Sequence, residues 1–286
     1  MKNEWMLEQK ADLKNIGHYE TIYTLANGYA GLRGTPGFLF YEGKPGFYPA
    51  GVYNNTPVFG SELVNLPSFI NYSVKVDGEK ITAGMVDSLK YSLDMRAGVL
   101  VIEAVVRGQK GRKTAIREER FLHSEKKETG TMRTEITPLN YNGNIYISCA
   151  LDVNAAVTDV RGEKIHHLEK ISDDISKNGV YLETETTHTK INIGQFVRLK
   201  PASVKTETRV FLRDDAAVSS FESAVYEGRP VVFDIFSSVF HSGKSGELRR
   251  KSERAVIDAE KAGFARLQKE HADVLKKIWK TRDIII

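Results

Sequence analysis

From Trp5 to about Phe240 apolar side chains recur at every second position, and nowhere does a strand-like run alternate with a helix-like one. That excludes a doubly wound nucleotide-binding fold and leaves the antiparallel architectures. Ile70, Tyr72, Val74 and Val76 alternate with Asn71, Ser73, Lys75 and Asp77, and Asp77-Gly78 supplies the two positive-φ residues of a tight hairpin. Further strands are expected over 89–93, 99–106, 113–122, 132–136, 145–151, 180–186, 190–199, 207–212 and 230–240, with turn signals about every dozen residues. This spacing predicts an all-β chain, a large antiparallel sandwich or barrel.

The pattern changes after Ser242-Gly-Lys-Ser-Gly246. Phe264, Leu267, Val274, Leu275 and Ile278 fall at helical spacing, and 247–260 lacks Pro and Gly, so two helices meeting near Gly263 are expected. The domain division is therefore 1–243 for the β region and 244–286 for a helical tail. Residues 244–283 carry 12 basic and 7 acidic side chains, which leaves the rest of the chain at −1 although the whole is +4. The alternating signs suit a solvated helix face, and the body lacks the basic surface of a nucleic-acid binder. With 41% hydrophobic and 27% charged residues and no continuously apolar run near ~18 residues, neither disorder nor a membrane bundle fits. Met1-Lys-Asn-Glu-Trp-Met-Leu-Glu8 has no apolar signal core, so the expected location is cytoplasmic. The ending Asp283-Ile-Ile-Ile286 looks like the first strand of something further and suggests a fragment.

No catalytic set emerges from the residues. Cys149, alone in the sequence, sits on the alternating run Ile145-Tyr-Ile-Ser-Cys-Ala-Leu151, as a buried and inert thiol would. Gly28, Gly31, Gly34 and Gly37 recur every third residue. Four triplets are too few for collagen, no phosphate-loop spacing matches, and tight turns between short strands remain. The adjacent His166 and His167 would face opposite ways on a strand, and no zinc motif exists, so no metal or cofactor is expected. Glu183 and Glu185 share a strand face near His188 and could form an acid/base pair, but the surrounding Thr184, Thr186, Thr187 and Thr189 read as a polar outward face. Glu118 and Glu119 point to opposite faces if extended.

Six segments in order carry a resemblance: Glu20-Thr-Ile-Tyr-Thr-Leu-Ala-Asn-Gly-Tyr-Ala-Gly-Leu-Arg-Gly34; Tyr48-Pro-Ala-Gly-Val-Tyr53; Glu62-Leu-Val-Asn-Leu-Pro67 with the Val76-Asp-Gly78 hairpin; Leu93-Asp-Met-Arg-Ala-Gly-Val-Leu100; Arg117-Glu-Glu-Arg-Phe-Leu122; and Gly263-Phe-Ala-Arg-Leu-Gln-Lys-Glu-His271 followed by Trp279. Together they resemble the N-terminal part of glycoside hydrolase family 65, the family of maltose, kojibiose, nigerose and trehalose phosphorylases. Ala26 and His123 depart from the usual glycine and serine of that pattern.

The resemblance implies a galactose-mutarotase-like β-supersandwich followed by a helical linker toward an (α/α)6 catalytic barrel, which this sequence does not contain. It implies inverting phosphorolysis of a disaccharide by the parent enzyme. One barrel carboxyl protonates the glycosidic oxygen while inorganic phosphate, the co-substrate, attacks the anomeric carbon and releases β-glucose 1-phosphate. No catalytic residue carries over to this chain, and the resemblance names no substrate-binding residue in it. Its expected partners are its own barrel, the parent's disaccharide and a second copy in a homodimer, with neither nucleic acid nor membrane. Within the opening motif Asn27 and Arg33 read as turn-stabilising residues.

Two other readings differ in class. A free-standing carbohydrate-binding module would use Tyr41, Phe47, Tyr48, Tyr53 and Phe59 from a Gly/Pro-rich stretch. An all-β enzyme resembling the supersandwich epimerases would need Glu183 or Glu185 to converge with a histidine in one groove.

Overall fold

A computed structural model describes residues 5–56, 60–154, 157–158 and 164–282. Phe59 and the terminal Asp283-Ile-Ile-Ile286 lie outside the described residues.

Two antiparallel sheets form the body. The larger runs Met6–Lys10, Val86–Asp94, Val99–Arg107, Lys113–Leu122, Thr129–Pro138, Val231–His241, Asn192–Pro201, Gly179–Thr186 and Leu168–Ser176. The smaller runs Arg209–Arg213, Ala216–Val225, Gly143–Asp152, Tyr72–Val76 and Glu79–Lys80. This is the antiparallel all-β sandwich that the alternation predicts, in the supersandwich form that the resemblance implies. Asp77 (φ 44°) and Gly78 (φ 85°) make the expected hairpin turn.

Alternation explains the packing. Ile116, Met132, Ile136, Phe233 and Ile235 of the large sheet share one buried cluster with Val74, Ile145, Ile147, Cys149 and Phe221 of the small one. Burying such side chains stabilises by roughly 25 cal/mol per Å² of apolar surface. The sequence pattern does not single out Ala216–Val225, although this strand lies inside the small sheet. Its buried Ser219 and Ser220 interrupt the apolar signal. Nor does it single out Leu168–Ser176, a largely exposed edge strand, or the short helix α1 (Ile16–Ile22).

Two helices follow the sheets: α2 (Ser245–Ala262) and α3 (Phe264–Arg282), separated by Gly263 at φ 77°. They cover the other face of the large sheet. There Val256 and Ala259 of α2 and Phe264 and Leu267 of α3 bury Val99, Phe121, Tyr181, Phe196 and Phe236. Ser252 of α2 is fully buried: its hydroxyl donates to the Gly194 carbonyl (3.1 Å), and its carbonyl accepts from Ser238 Oγ (2.8 Å). Farther along, Trp279 meets Trp5 with ring centroids 4.9 Å apart. The large sheet is thus buried on both faces over this part, and the helices are integral to it.

Leu267→Ala opens a hole between α3 and the sheet. A loss of about 2–5 kcal/mol of unfolding free energy is expected in urea denaturation, and a loss below about 1 kcal/mol would contradict the docking described.

Candidate functional site

The segment 33–48 is rich in Gly and Pro, pairs with other backbone at few points, and carries N–H groups that burial would leave orphaned. Two fully buried carboxylates satisfy them. Glu118 lies on the Lys113–Leu122 strand at an inward position shared with Ile116 and Arg120. Its oxygens accept from Gly37 N (2.9 and 3.1 Å), Phe38 N (3.4 Å) and the Tyr72 hydroxyl (2.8 Å). The fully buried Arg120 faces it at 3.3 Å and donates onward to the Arg33 carbonyl (3.4 Å). Burial pushes the Glu118 carboxyl above its usual range, while Arg120 and the hydrogen bonds pull it back.

Glu20, on α1, grips the far end of the segment. It accepts from Lys44 N (3.2 and 3.0 Å) and lies 3.6 Å from the Arg33 guanidinium. Gly37 is required between these clamps, because a Cβ there would overlap the Ile70 carbonyl and the Tyr72 ring. The result is a fixed platform from which Tyr41 protrudes, 62% exposed, while Tyr53, 46% exposed, stands on the separate strand Tyr53–Thr56.

A second connection ties this platform to α3. Asn27 Nδ2 donates to the carbonyls of His123 and Lys127 (both 2.9 Å), while its Oδ1 accepts from Tyr29 N and Ala30 N. His123 Nδ1 accepts from Glu125 N (3.1 Å) and Lys126 N (3.0 Å), which closes the 123–127 turn. From that turn Ser124 N and Oγ approach His271 Nδ1 at 3.2 and 2.7 Å. His271 is buried on α3, stacks on Phe121 (4.9 Å, 15°), and its Nε2 lies 3.1 Å from the Gly98 carbonyl. Glu270 beside it pairs with Lys126 at 2.6 Å.

The sequence candidates fall elsewhere. Cys149 is fully buried, and burial pushes its thiol up to about 12, so it is inert as expected. Gly28, at φ 82°, serves a turn.

The outward face expected around Glu183 is corrected. Glu183, Thr184 and Thr186 are buried, and Glu183 accepts from Tyr181 (3.0 Å), Ser245 (2.7 Å) and Ser172 (3.4 Å) as α2 folds over it. Glu185 pairs with Lys190 at 3.0 Å, so the two carboxylates do not work as one pair. His188 bonds its neighbour Thr187. Glu118 and Glu119 do diverge: Glu119 reaches Arg117 (2.7 Å) and Gln268 of α3 on the outer face.

Of the loop aromatics, Phe47 is buried and Tyr48 half-buried, while Tyr41 and Tyr53 are exposed. His166 is exposed and His167 buried beside Asn54, and no cluster of three or more metal-ligating side chains occurs among the described residues.

Sequence reasoning did not find Glu20, Glu118, Arg120 or His271 as structural centres. A signal existed for three of them. Glu118 and Arg120 interrupt an apolar alternation at inward positions, and His271 follows Leu267 by four residues on the apolar helix face.

The family model described as "Glycosyl hydrolase family 65, N-terminal domain" matches residues 6–278. The chain belongs to this family. The kojibiose phosphorylase of Caldanaerobacter subterraneus subsp. tengcongensis is 30% identical over 302 aligned residues, covering 99% of this chain and 39% of that protein. The maltose phosphorylase of Bacillus subtilis is 26% identical, covering 99% of this chain and 40% of its own length. A solved structure provisionally described as a kojibiose phosphorylase from human microbiome superposes with TM-score 0.85 at 16% identity, over 98% of this chain and 38% of that one. It shares the fold. The chain thus spans about two fifths of the length of the relatives it matches. Both of the motifs that carry Glu20 and Glu118 are motifs of the family resemblance, and the fold brings them together on one loop.

The dock of α3 is expected to depend on pH. Burial lowers His123 to about 4 and also lowers His271, with Lys126 adding to the effect on His123 and Glu270 opposing it. Groups depressed in the fold take up protons first in the unfolded chain. Their contribution is complete above an unfolded value of about 6.5 and is lost as pH falls toward 4. Unfolding free energy is expected to fall over that window. His123→Asn, which keeps an acceptor for the 123–127 turn, should flatten the slope by up to about 1.4 kcal/mol per pH unit. An unchanged slope in pH-dependent urea titrations would exclude His123 as a contributor.

Proposed function

We propose that this chain is the non-catalytic N-terminal part of an inverting α-glucoside phosphorylase, whose parent reaction converts a disaccharide and phosphate to β-glucose 1-phosphate and a free sugar. In that reaction one carboxyl outside this chain protonates the glycosidic oxygen while phosphate takes the place of an activated water on the opposite face of the ring. Phosphate is a co-substrate, and no cofactor enters. Within this reading residues 1–243 form the supersandwich domain and 244–286 the linker toward an (α/α)6 barrel. The whole enzyme works as a cytoplasmic homodimer on its disaccharide.

The role of this chain is positional. One observation carries the reading: Glu118 and Glu20 are fully buried and spent on holding 33–48. A loop clamped at both ends holds its exposed Tyr41 at a fixed position, as a substrate entrance requires. The turn at 123–127 extends the same rigidity to α3. The phosphorylase names of the relatives support the reaction class.

Incubation of the folded chain with phosphate and kojibiose, maltose, nigerose or trehalose, followed by assay of glucose 1-phosphate, tests the assignment. No release is expected from any of the four. Phosphate-dependent release in proportion to chain concentration would place the active site within these residues and overturn it.

A further inference from the structure

The outer face of the small sheet, remote from α2 and α3, carries a cleft of about 700 Å³ that the positional role leaves unused. That volume lies in the range of sites for small ligands, roughly 300–1,000 Å³. Strand register builds it row by row. Lys75, Tyr146 and Glu222 stand side by side across three strands, and Ser73 and Ser148 form the next row on the same face. The two serine hydroxyls meet at 2.9 Å. Lys80 closes one edge of the sheet and Arg213 the other, and both line the cleft.

The charges here are unspent. Asp77 at the rim is bound by Arg112 at 2.8 Å and by Asn144 N. Lys75, Lys80, Arg213 and Glu222 have no ion-pair partner within 4 Å among the described residues. Three cations thus face one free carboxylate in a chain whose body outside the tail sums to −1. All three cations stand over aromatic rings: Lys75 Nζ lies 5.7 Å from the centre of Tyr146, Lys80 Nζ 6.0 Å from that of Tyr41, and Arg213 Cζ 5.3 Å from that of Phe211. The Tyr41 ring is fixed, because its hydroxyl donates to Asp152 (2.6 Å) and accepts from Asn71 (2.9 Å).

We propose that this cleft binds a saccharide bearing an anionic group. A pyranose ring lies against Tyr146, its hydroxyls exchange hydrogen bonds with Ser73, Ser148 and Glu222, and its anionic group is taken by Lys75 and Lys80. Each element matches a part of that ligand. An aromatic face suits the C–H side of a sugar, paired hydroxyls and a carboxylate suit vicinal hydroxyl groups, and ammonium groups suit an acidic substituent. A bare anion would leave the tyrosine and serines without a role, and a neutral sugar would leave the two lysines without one. The proposal stands apart from the phosphorylase reading: of the clamped 33–48 segment it borrows only Tyr41, the ring beside Lys80, and it uses neither Glu20 nor Glu118.

Calorimetric titration of the whole chain with glucose 6-phosphate and with glucuronic acid distinguishes a phosphate from a carboxylate as the acidic group, with glucose and inorganic phosphate as controls. At least one acidic sugar is expected to bind about tenfold tighter than either control, with affinity falling as salt is raised. Tyr146→Ala should weaken that binding up to about tenfold. Lys75→Ala with Lys80→Ala should remove its preference over glucose, and Lys269→Ala on α3 should leave it unchanged. All these positions are at least partly exposed, and an unaltered urea midpoint shows that each variant folds. Equal binding of glucose and the acidic sugars, equal binding of inorganic phosphate, no binding at all, or indifference to Tyr146→Ala would each overturn the proposal.

Discussion

The buried Glu118–Arg120 pair is the contact on which the functional half of the molecule depends. Two charges taken from water cost several kcal/mol each unless every lone pair and proton finds a partner. Here the carboxylate is surrounded by two loop N–H groups, a tyrosine hydroxyl and the guanidinium. The loop needs the carboxylate as much as the carboxylate needs the loop. Hydrophobic residues at both positions would fill the volume but leave the backbone of Gly37 and Phe38 unsatisfied. A buried pair adds little net stability, and its value here lies in fixing where 33–48 sits.

From that clamp the structure reads outward as one connected scaffold. The sheet places Glu118, Glu118 places the loop, and Asn27 fastens the adjoining motif to the turn at 123–127. That turn grips His271 on α3. Loop and helix are therefore held by opposite faces of the same strand: Glu118 and Arg120 point inward, while Phe121 points outward to stack on His271 and meet Phe264 edge-on. This arrangement suits a domain whose work is to position other parts.

Much of the fold was legible because one face of most strands is buried, and burial writes a period of two into the sequence. The reading failed where chemistry blurred that period. Ala216–Val225 shows no period of two because Ser219 and Ser220 occupy successive buried positions, and Leu168–Ser176 is exposed along most of its length. Glu183 was misread for the opposite reason. Its threonine neighbours look solvated in sequence, and only the tertiary approach of α2 buries them. The loop clamp was invisible for a general reason: a carboxylate that serves backbone N–H groups leaves no sequence motif at its target. The family motifs marked the right segments without saying what their charges do.

Amide hydrogen exchange read residue by residue tests the central claim most directly. If Glu118 and Glu20 clamp the loop, the amides of Gly37, Phe38 and Lys44 exchange as slowly as those of the Lys113–Leu122 strand. Arg120→Met should then release Gly37 and Phe38 while most strand amides stay protected. Rapid exchange of these three amides in the native chain, at the rate of an ordinary surface loop, would contradict it.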